Sequence, residues 1–162
     1  MLLTPITLVH RQLVNMQIEA LTFDNAQWQL VAEYAQQCSW KAGPSLADLM
    51  RAHGFSEWER VFVAREGDAI AGYCTLAKTD GLPSVDYTPF IGFVFVGEAY
   101  RGRRISEMLI RFALDYARTL DFQTVYVASR EEGLYEKYGF ELLTKQKNEL
   151  GQEDQIFKVS TK

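Results

Sequence analysis

Three arginines within four positions, Arg101, Arg103 and Arg104, flank Gly102 between an apolar run, Phe90-Ile-Gly-Phe-Val-Phe-Val, and a long amphipathic stretch. A strand that turns into a helix leaves free backbone N–H groups in the first helical turn, and the helix dipole adds partial positive charge there. Such a turn suits phosphate: guanidinium groups reinforce it, and a glycine lets the backbone approach closely. A solvated basic patch closing a loop has the same composition. Charge and placement divide evenly between the two readings, because the sequence contains neither a P-loop nor a dinucleotide G-x-G-x-x-G. Tyr135 and Tyr138 are the second candidates. A phenol with a pKa of about 10 is protonated at neutral pH and can donate to a developing anion, whereas aromatic residues three apart on a short helix also pack as core.

The other reactive side chains carry less chemistry. Cys38 and Cys74 fall at a helix end and inside a strand, with no CxxC and no histidine at a recognisable spacing. They read as buried thiols in a reducing cytoplasm, and nucleophilic catalysis through them is disfavoured. His10 and His53 have no metal-ligand spacing, so no metal is expected. The run Phe90 to Val96 contains no carboxylate to serve as a base. Glu98, Asp86, Tyr87, Glu57 and Glu59 lie near it in sequence, but each reads as an ordinary surface charge and none is singled out.

These groups need a scaffold, and 162 residues provide one domain with a sizeable core. Hydrophobic residues make up 48% and charged residues 23%, and no apolar run approaches the roughly 18 residues of a membrane span. The balance of 17 basic against 21 acidic residues, net −4, argues against nucleic-acid partners, which need a basic stripe. Residues 1–15 are apolar but lack a basic n-region and an A-x-A site, and Pro5 interrupts them. They read as an added strand, a frayed extension or an upstream start, and the domain is expected over 16–162.

Gln17 to Leu21 alternates as a strand. Asp24 with Gln27 is a candidate capping box for a helix whose apolar face is Trp28, Val31, Ala32 and Ala35. Gly43-Pro44 breaks that helix, and Ser45 with Asp48 opens another through Leu46, Leu49 and Met50, ending at Gly54. Arg60–Glu66 and Ala69–Lys78 form a hairpin through Gly67-Asp68. Phe90 to Val96 is a central strand covered on both faces. The helix after it carries Ile105, Met108, Leu109, Phe112, Ala113, Tyr116, Ala117 and Leu120 on one stripe, and Thr124 to Ala128 completes a parallel crossover. Leu134 to Tyr138 reads as a last short helix capped by Gly139, and Phe140–Lys147 with Gln155–Ser160 as an antiparallel pair. The sum is an α/β domain with a mostly antiparallel mixed sheet of six to seven strands and about four helices.

Within this frame, Val94-Phe-Val-Gly-Glu-Ala-Tyr-Arg-Gly-Arg-Arg-Ile-Ser resembles the cofactor motif of the GNAT superfamily of N-acetyltransferases. Gly133-Leu-Tyr-Glu-Lys-Tyr-Gly-Phe resembles its later helix-to-strand signature. The order of elements from Met16 onward is also similar. The resemblance implies direct transfer of an acetyl group from acetyl-CoA to a primary amine of a small molecule or protein, without metal. It assigns the pantetheine arm to the backbone of Val94, Phe95 and Val96, and the pyrophosphate to Arg101, Gly102, Arg103, Arg104, Ile105 and Ser106. Arg104 stands where the motif usually has glycine: a position that needs φ > 0 would strain an arginine, whereas a helix-entry residue with ordinary angles tolerates it, and Ser106, where glycine or alanine is usual, is small enough for close approach. The family's asparagine ahead of the last helix is absent from Ala128-Ser-Arg-Glu-Glu, and Ser129 is the candidate substitute. Tyr135 matches the general acid that protonates the leaving thiolate, backbone N–H near Val96 would polarise the carbonyl, and Tyr138 is left to packing. Trp28, Trp40, Trp58 and Tyr87 fall in the segments that cover the acceptor cleft in similar proteins, with core packing as their first reading. The competing reading is a non-catalytic acyl-CoA-binding regulatory module. The C-terminal strand edges offer a surface for a homodimer.

Overall fold

A computed structural model of the protein describes residues 15–80 and 86–162. The expected N-terminal extension lies outside the described residues, apart from Asn15. The elements run β1 (Met16–Leu21), α1 (Trp28–Gln37), α2 (Gly43–Arg51), β2 (Arg60–Glu66), β3 (Ala69–Ala77), β4 (Phe90–Val96), α3 (Ile105–Thr119), β5 (Thr124–Ser129), β6 (Glu141–Lys147) and β7 (Glu153–Ser160). Short 3₁₀ turns cover Glu98–Tyr100 and Tyr135–Tyr138.

The seven strands form one sheet in the order β1-β2-β3-β4-β5-β7-β6. Among the described residues only β4 and β5 pair in parallel, through the crossover helix α3. Alternation along β2 explains its unbroken apolar run: Val61 and Val63 face a core with α1 and α2, while Phe62 and Ala64 face the core under α3. On the α3 side Leu76, Ile91, Leu109, Ile110 and Phe157 are fully or almost fully buried. The α3 stripe is rotated from the expected one, with Ile110 and Leu114 buried and Phe112 at 36% exposure, although the Phe112 ring still meets Phe62.

Neither predicted capping box forms. Asp24 accepts from the Thr22 hydroxyl instead, while Asn25 Oδ1 takes the Gln27 N–H at 2.8 Å, so an Asx turn outcompetes the box. Helix α2 begins at Gly43, earlier than the break placed there, because Pro44 sits in the first turn, where a missing N–H removes no hydrogen bond. Gly43 is required by contact: a Cβ would stand 2.2 Å from the Ala35 carbonyl oxygen of α1. The last short helix is a single 3₁₀ turn closed by Gly139 at φ 92°, which leaves three α-helices among the described residues rather than about four.

Candidate active site

The site begins as a fault in the sheet. Strands β4 and β5 pair only at Phe90–Tyr126 and Ile91–Val127, then part, while β4 stays with β3 as far as the Val96–Gly72 pair. Opposite the gap, Tyr73 pairs with Phe95 and Thr75 with Gly92, so Cys74 alone faces Phe93 and Val94. Phe93 has φ 49°, which marks a β-bulge that bends β4 away and leaves its far edge, among the described residues, without a strand partner.

Two clefts open into that gap. One, of about 660 Å³, is lined by Val94, Phe95, Val96, Arg101, Ser106 and Leu134 among others. The second, of about 520 Å³, is lined by Asp80, Gly92, Phe93, Ser129, Glu149 and Asp154 among others. Trp40, Val94, Glu131 and Tyr135 line both and mark where they meet. Two clefts that share a wall let two molecules approach one point.

The turn at the mouth of the first cleft separates its three arginines. Arg101 Nε donates to the Val96 carbonyl at 3.2 Å, and the guanidinium lies 6.0 Å from the Phe95 ring centroid, so this arginine lines the cleft. Arg103 pairs with Glu66 at 2.6 Å and covers Tyr100. Arg104 precedes α3 with φ 60° and ψ 28°, the left-handed region. Of the two alternatives at Arg104, ordinary helix-entry angles do not hold: the backbone adopts what glycine would supply there, and a side chain is strained in it. Gly102, at φ 82°, has open space where a Cβ would be. Replacing Arg104 by Gly is expected to raise the stability measured by urea denaturation by up to about 1 kcal/mol. A loss of stability would show that the Arg104 side chain holds the turn. Among the described residues no side chain caps α3, so its first N–H groups remain available. Ser106 Oγ lies 2.9 Å from the Tyr138 hydroxyl, which gives Tyr138 a polar contact beyond the packing expected of it.

Tyr135 sits at the junction with 6% exposure, its ring against Phe140, Phe157 and Tyr138. Among the described residues its hydroxyl has no hydrogen-bond partner. Burial, followed by the charges of Glu131 and other nearby acids, pushes its pKa well above that of an ordinary phenol, so it holds its proton at all neutral pH values. Ser129 lines the second cleft rather than the first, and its Oγ accepts the Glu131 N–H at 3.0 Å, ordering that loop.

The second cleft holds a group that the sequence reading did not single out. Asp80, after β3, is partly buried and lies against the β4 backbone at Gly92, where a Cβ would come within 2.8 Å of its Oδ1. Burial, then the negative charge of Asp154, pushes its pKa up to about 6. The available signal was Gly92 itself, since glycine inside an apolar strand marks the close approach of another group. The sequence candidates for a base lie elsewhere: Glu57 and Glu59 line a separate pocket of about 300 Å³ with His53 and Phe23, and Glu98 lines the first cleft. Of the aromatic candidates only Trp40 reaches the clefts, stacked on Phe95 with planes 2° apart. Trp28 is core, with Nε1 donating to Met50 O, Trp58 packs on Phe122, and Tyr87 stacks on Tyr126. Cys74 is buried, and that burial holds its thiol protonated and inert.

The sequence model of the Acetyltransferase (GNAT) family matches residues 24–140, and the chain belongs to that family. It is therefore an N-acetyltransferase, of a family whose cosubstrate is acetyl-CoA. The fold is shared with a GNAT-family protein from Desulfovibrio desulfuricans at 15% identity, with a TM-score of 0.71 over 91% of this chain and 99% of that one. A mutant of the spermidine N-acetyltransferase SpeG from Vibrio cholerae aligns at 16% identity and a TM-score of 0.65, over 91% and 95% of the two chains. An acetyltransferase from Streptococcus agalactiae gives 18% and 0.62, over 90% and 98%. No curated protein matches the sequence.

Proposed function

We propose that this protein transfers the acetyl group of acetyl-CoA directly to a primary amine that enters through the acidic cleft. The observation that carries the reading is that Val94 and Tyr135 line both clefts, so a donor in one and an acceptor in the other meet beside a protonated phenol. The residues present suit acetyl-CoA: the partnerless edge of β4 offers backbone groups for an amide-bearing arm, and the turn from Arg101 through Gly102, Arg103, Arg104 and Ile105 to Ser106 offers cations and free N–H groups for a pyrophosphate. When bound, acetyl-CoA supplies an activated thioester carbonyl. Val94, Phe95 and Val96 orient that arm, with backbone N–H near Val96 directed at the carbonyl oxygen. Tyr135 holds the proton that the leaving sulfur needs. Ser129 acts at one remove, by ordering the loop that carries Glu131.

Asp80, Glu131, Glu149 and Asp154 against Arg130 make the second cleft net negative, which supports a cationic acceptor. Polyamines belong to that chemical class, and the name of the Vibrio cholerae neighbours points to the same class. A small diamine or a lysine-bearing peptide both fit it. The reading extends to a homodimer through the outer edge of β6, where Leu142 is half exposed. Titration with acetyl-CoA and with desulfo-CoA, followed by thiol release across a panel of mono-, di- and polyamines, tests the proposal. Micromolar binding of both nucleotides and turnover that favours polycationic amines are expected. Absence of binding overturns the assignment of the turn, and binding without turnover by any amine identifies a regulatory acyl-CoA module.

A further inference from the structure

We propose that Asp80 is the catalytic base, accepting the proton that the acceptor ammonium must lose before its nitrogen can attack. The inference rests on the second cleft being the acceptor site. An amine that enters as an ammonium has no lone pair, and a carboxylate is useful there only if it is unpaired, close to the reacting centre and basic enough.

Asp80 meets these conditions better than the other acids of the cleft. Its carboxylate lies against β4 at Gly92, two residues before Val94, where the clefts join. Among the described residues no cation pairs with it. Asp154 on β7 and the Tyr135 hydroxyl interact with it, and the other charged groups that line its cleft are Glu149 in the β6–β7 loop and Glu131 and Arg130 after β5. Arg130, the cation of this cleft, is already taken, with Nε 3.6 Å from Asp154 and Nη1 donating to Gln152 at 2.6 Å. Asp154 also accepts from Asn148 Nδ2 at 3.2 Å. Glu131 and Glu149 are exposed to water. With its pKa pushed up to about 6, Asp80 is ionised at neutral pH yet more basic than an ordinary carboxylate.

The proton balance closes. Asp80 takes one proton from the ammonium; the freed lone pair forms the C–N bond as the C–S bond breaks, and the electron pair leaving on sulfur takes the Tyr135 proton. The second proton lost by the nitrogen restores the Tyr135 phenol through water, and the proton on Asp80 passes to solvent.

The test compares wild type, Asp80→Asn and Glu131→Gln in kcat/KM from pH 5 to 9, with acetyl-CoA affinity measured alongside. Wild type should lose activity below about pH 6 as Asp80 protonates. Asp80→Asn should lower kcat by about 100-fold at pH 7, abolish that acid limb and leave acetyl-CoA affinity within about two-fold. Loss of the acid limb in Glu131→Gln, or its persistence in Asp80→Asn, overturns the proposal, whereas failure of acetyl-CoA to bind wild type overturns the underlying site instead. Two readouts need no turnover. Carboxyl NMR of the wild type should show Asp80 titrating near 6, and titration near the ordinary 3.9 overturns the proposal. A raised folded-state pKa also means that ionised Asp80 opposes folding: no stability is lost below about pH 4, and the loss grows through pH 6 and is complete above it. Denaturation midpoints of Asp80→Asn should therefore exceed wild type above pH 6 and converge with it below pH 4.

Discussion

Tyr135→Phe is expected to lower kcat by about 100-fold while leaving the acetyl-CoA Kd within about two-fold. The substitution removes one oxygen that, among the described residues, makes no hydrogen bond, and it keeps the ring that packs on Phe140, Phe157 and Tyr138. Stability should hardly change, because no partner is left unsatisfied. What is lost is a proton held at the junction of the two clefts by a phenol that burial keeps neutral. A sulfur that leaves without that proton departs as a free thiolate, and the barrier rises with it. Steady-state kinetics beside calorimetric titration separate the alternatives. An unchanged kcat would assign sulfur protonation to water, and a weakened Kd with unchanged kcat would make Tyr135 a binding residue.

Gly72→Ala should be the most damaging single methyl in the sheet. Its Cβ would lie 2.5 Å from the Phe95 carbonyl oxygen and 3.2 Å from Val96 Cα, both backbone atoms that cannot swing aside. Strands β3 and β4 would have to separate at the end of β4 that borders the first cleft. A loss of about 3 kcal/mol in urea denaturation is expected, with acetyl-CoA affinity reduced about ten-fold or more as the β4 edge shifts. Gly67→Ala in the β2–β3 turn is the control: φ is 59° but nothing lies within 4 Å, so only the left-handed backbone penalty of about 1 kcal/mol applies and binding is unaffected. Equal effects at the two sites would mean that strand contact at Gly72 does not set the cleft.

Local chemistry was legible in the sequence and long-range geometry was not. Phe90 to Val96 is strand from its first residue to its last, as its two-sided apolar pattern dictates, and the hairpin closes at Gly67 where the turn residues place it. The four apolar positions of α1, Trp28, Val31, Ala32 and Ala35, are all buried. The insertion of β7 between β5 and β6 has no local signal, because strand order is decided by which hydrophobic faces meet after the chain returns. The bulge at Phe93 and the parting of β4 from β5 are equally silent, since they arise from register between strands. Arg104 shows the limit of residue-type reasoning. An arginine argues against a left-handed backbone, and the motif imposes one nevertheless. Asp80 escaped because its partner surface, Gly92, is twelve residues away and its electrostatic neighbour Asp154 lies on another strand.

The central claim, that acetyl-CoA lies along the free edge of β4 with its phosphates on the turn before α3, is tested most directly by amide hydrogen exchange with and without desulfo-CoA. Slowed exchange at Val94, Val96 and Gly102 to Ser106 is predicted, with the amides around His53 and Phe55 at the separate pocket unchanged. Protection that spares the β4 edge and the turn, or that appears instead around His53, would contradict it.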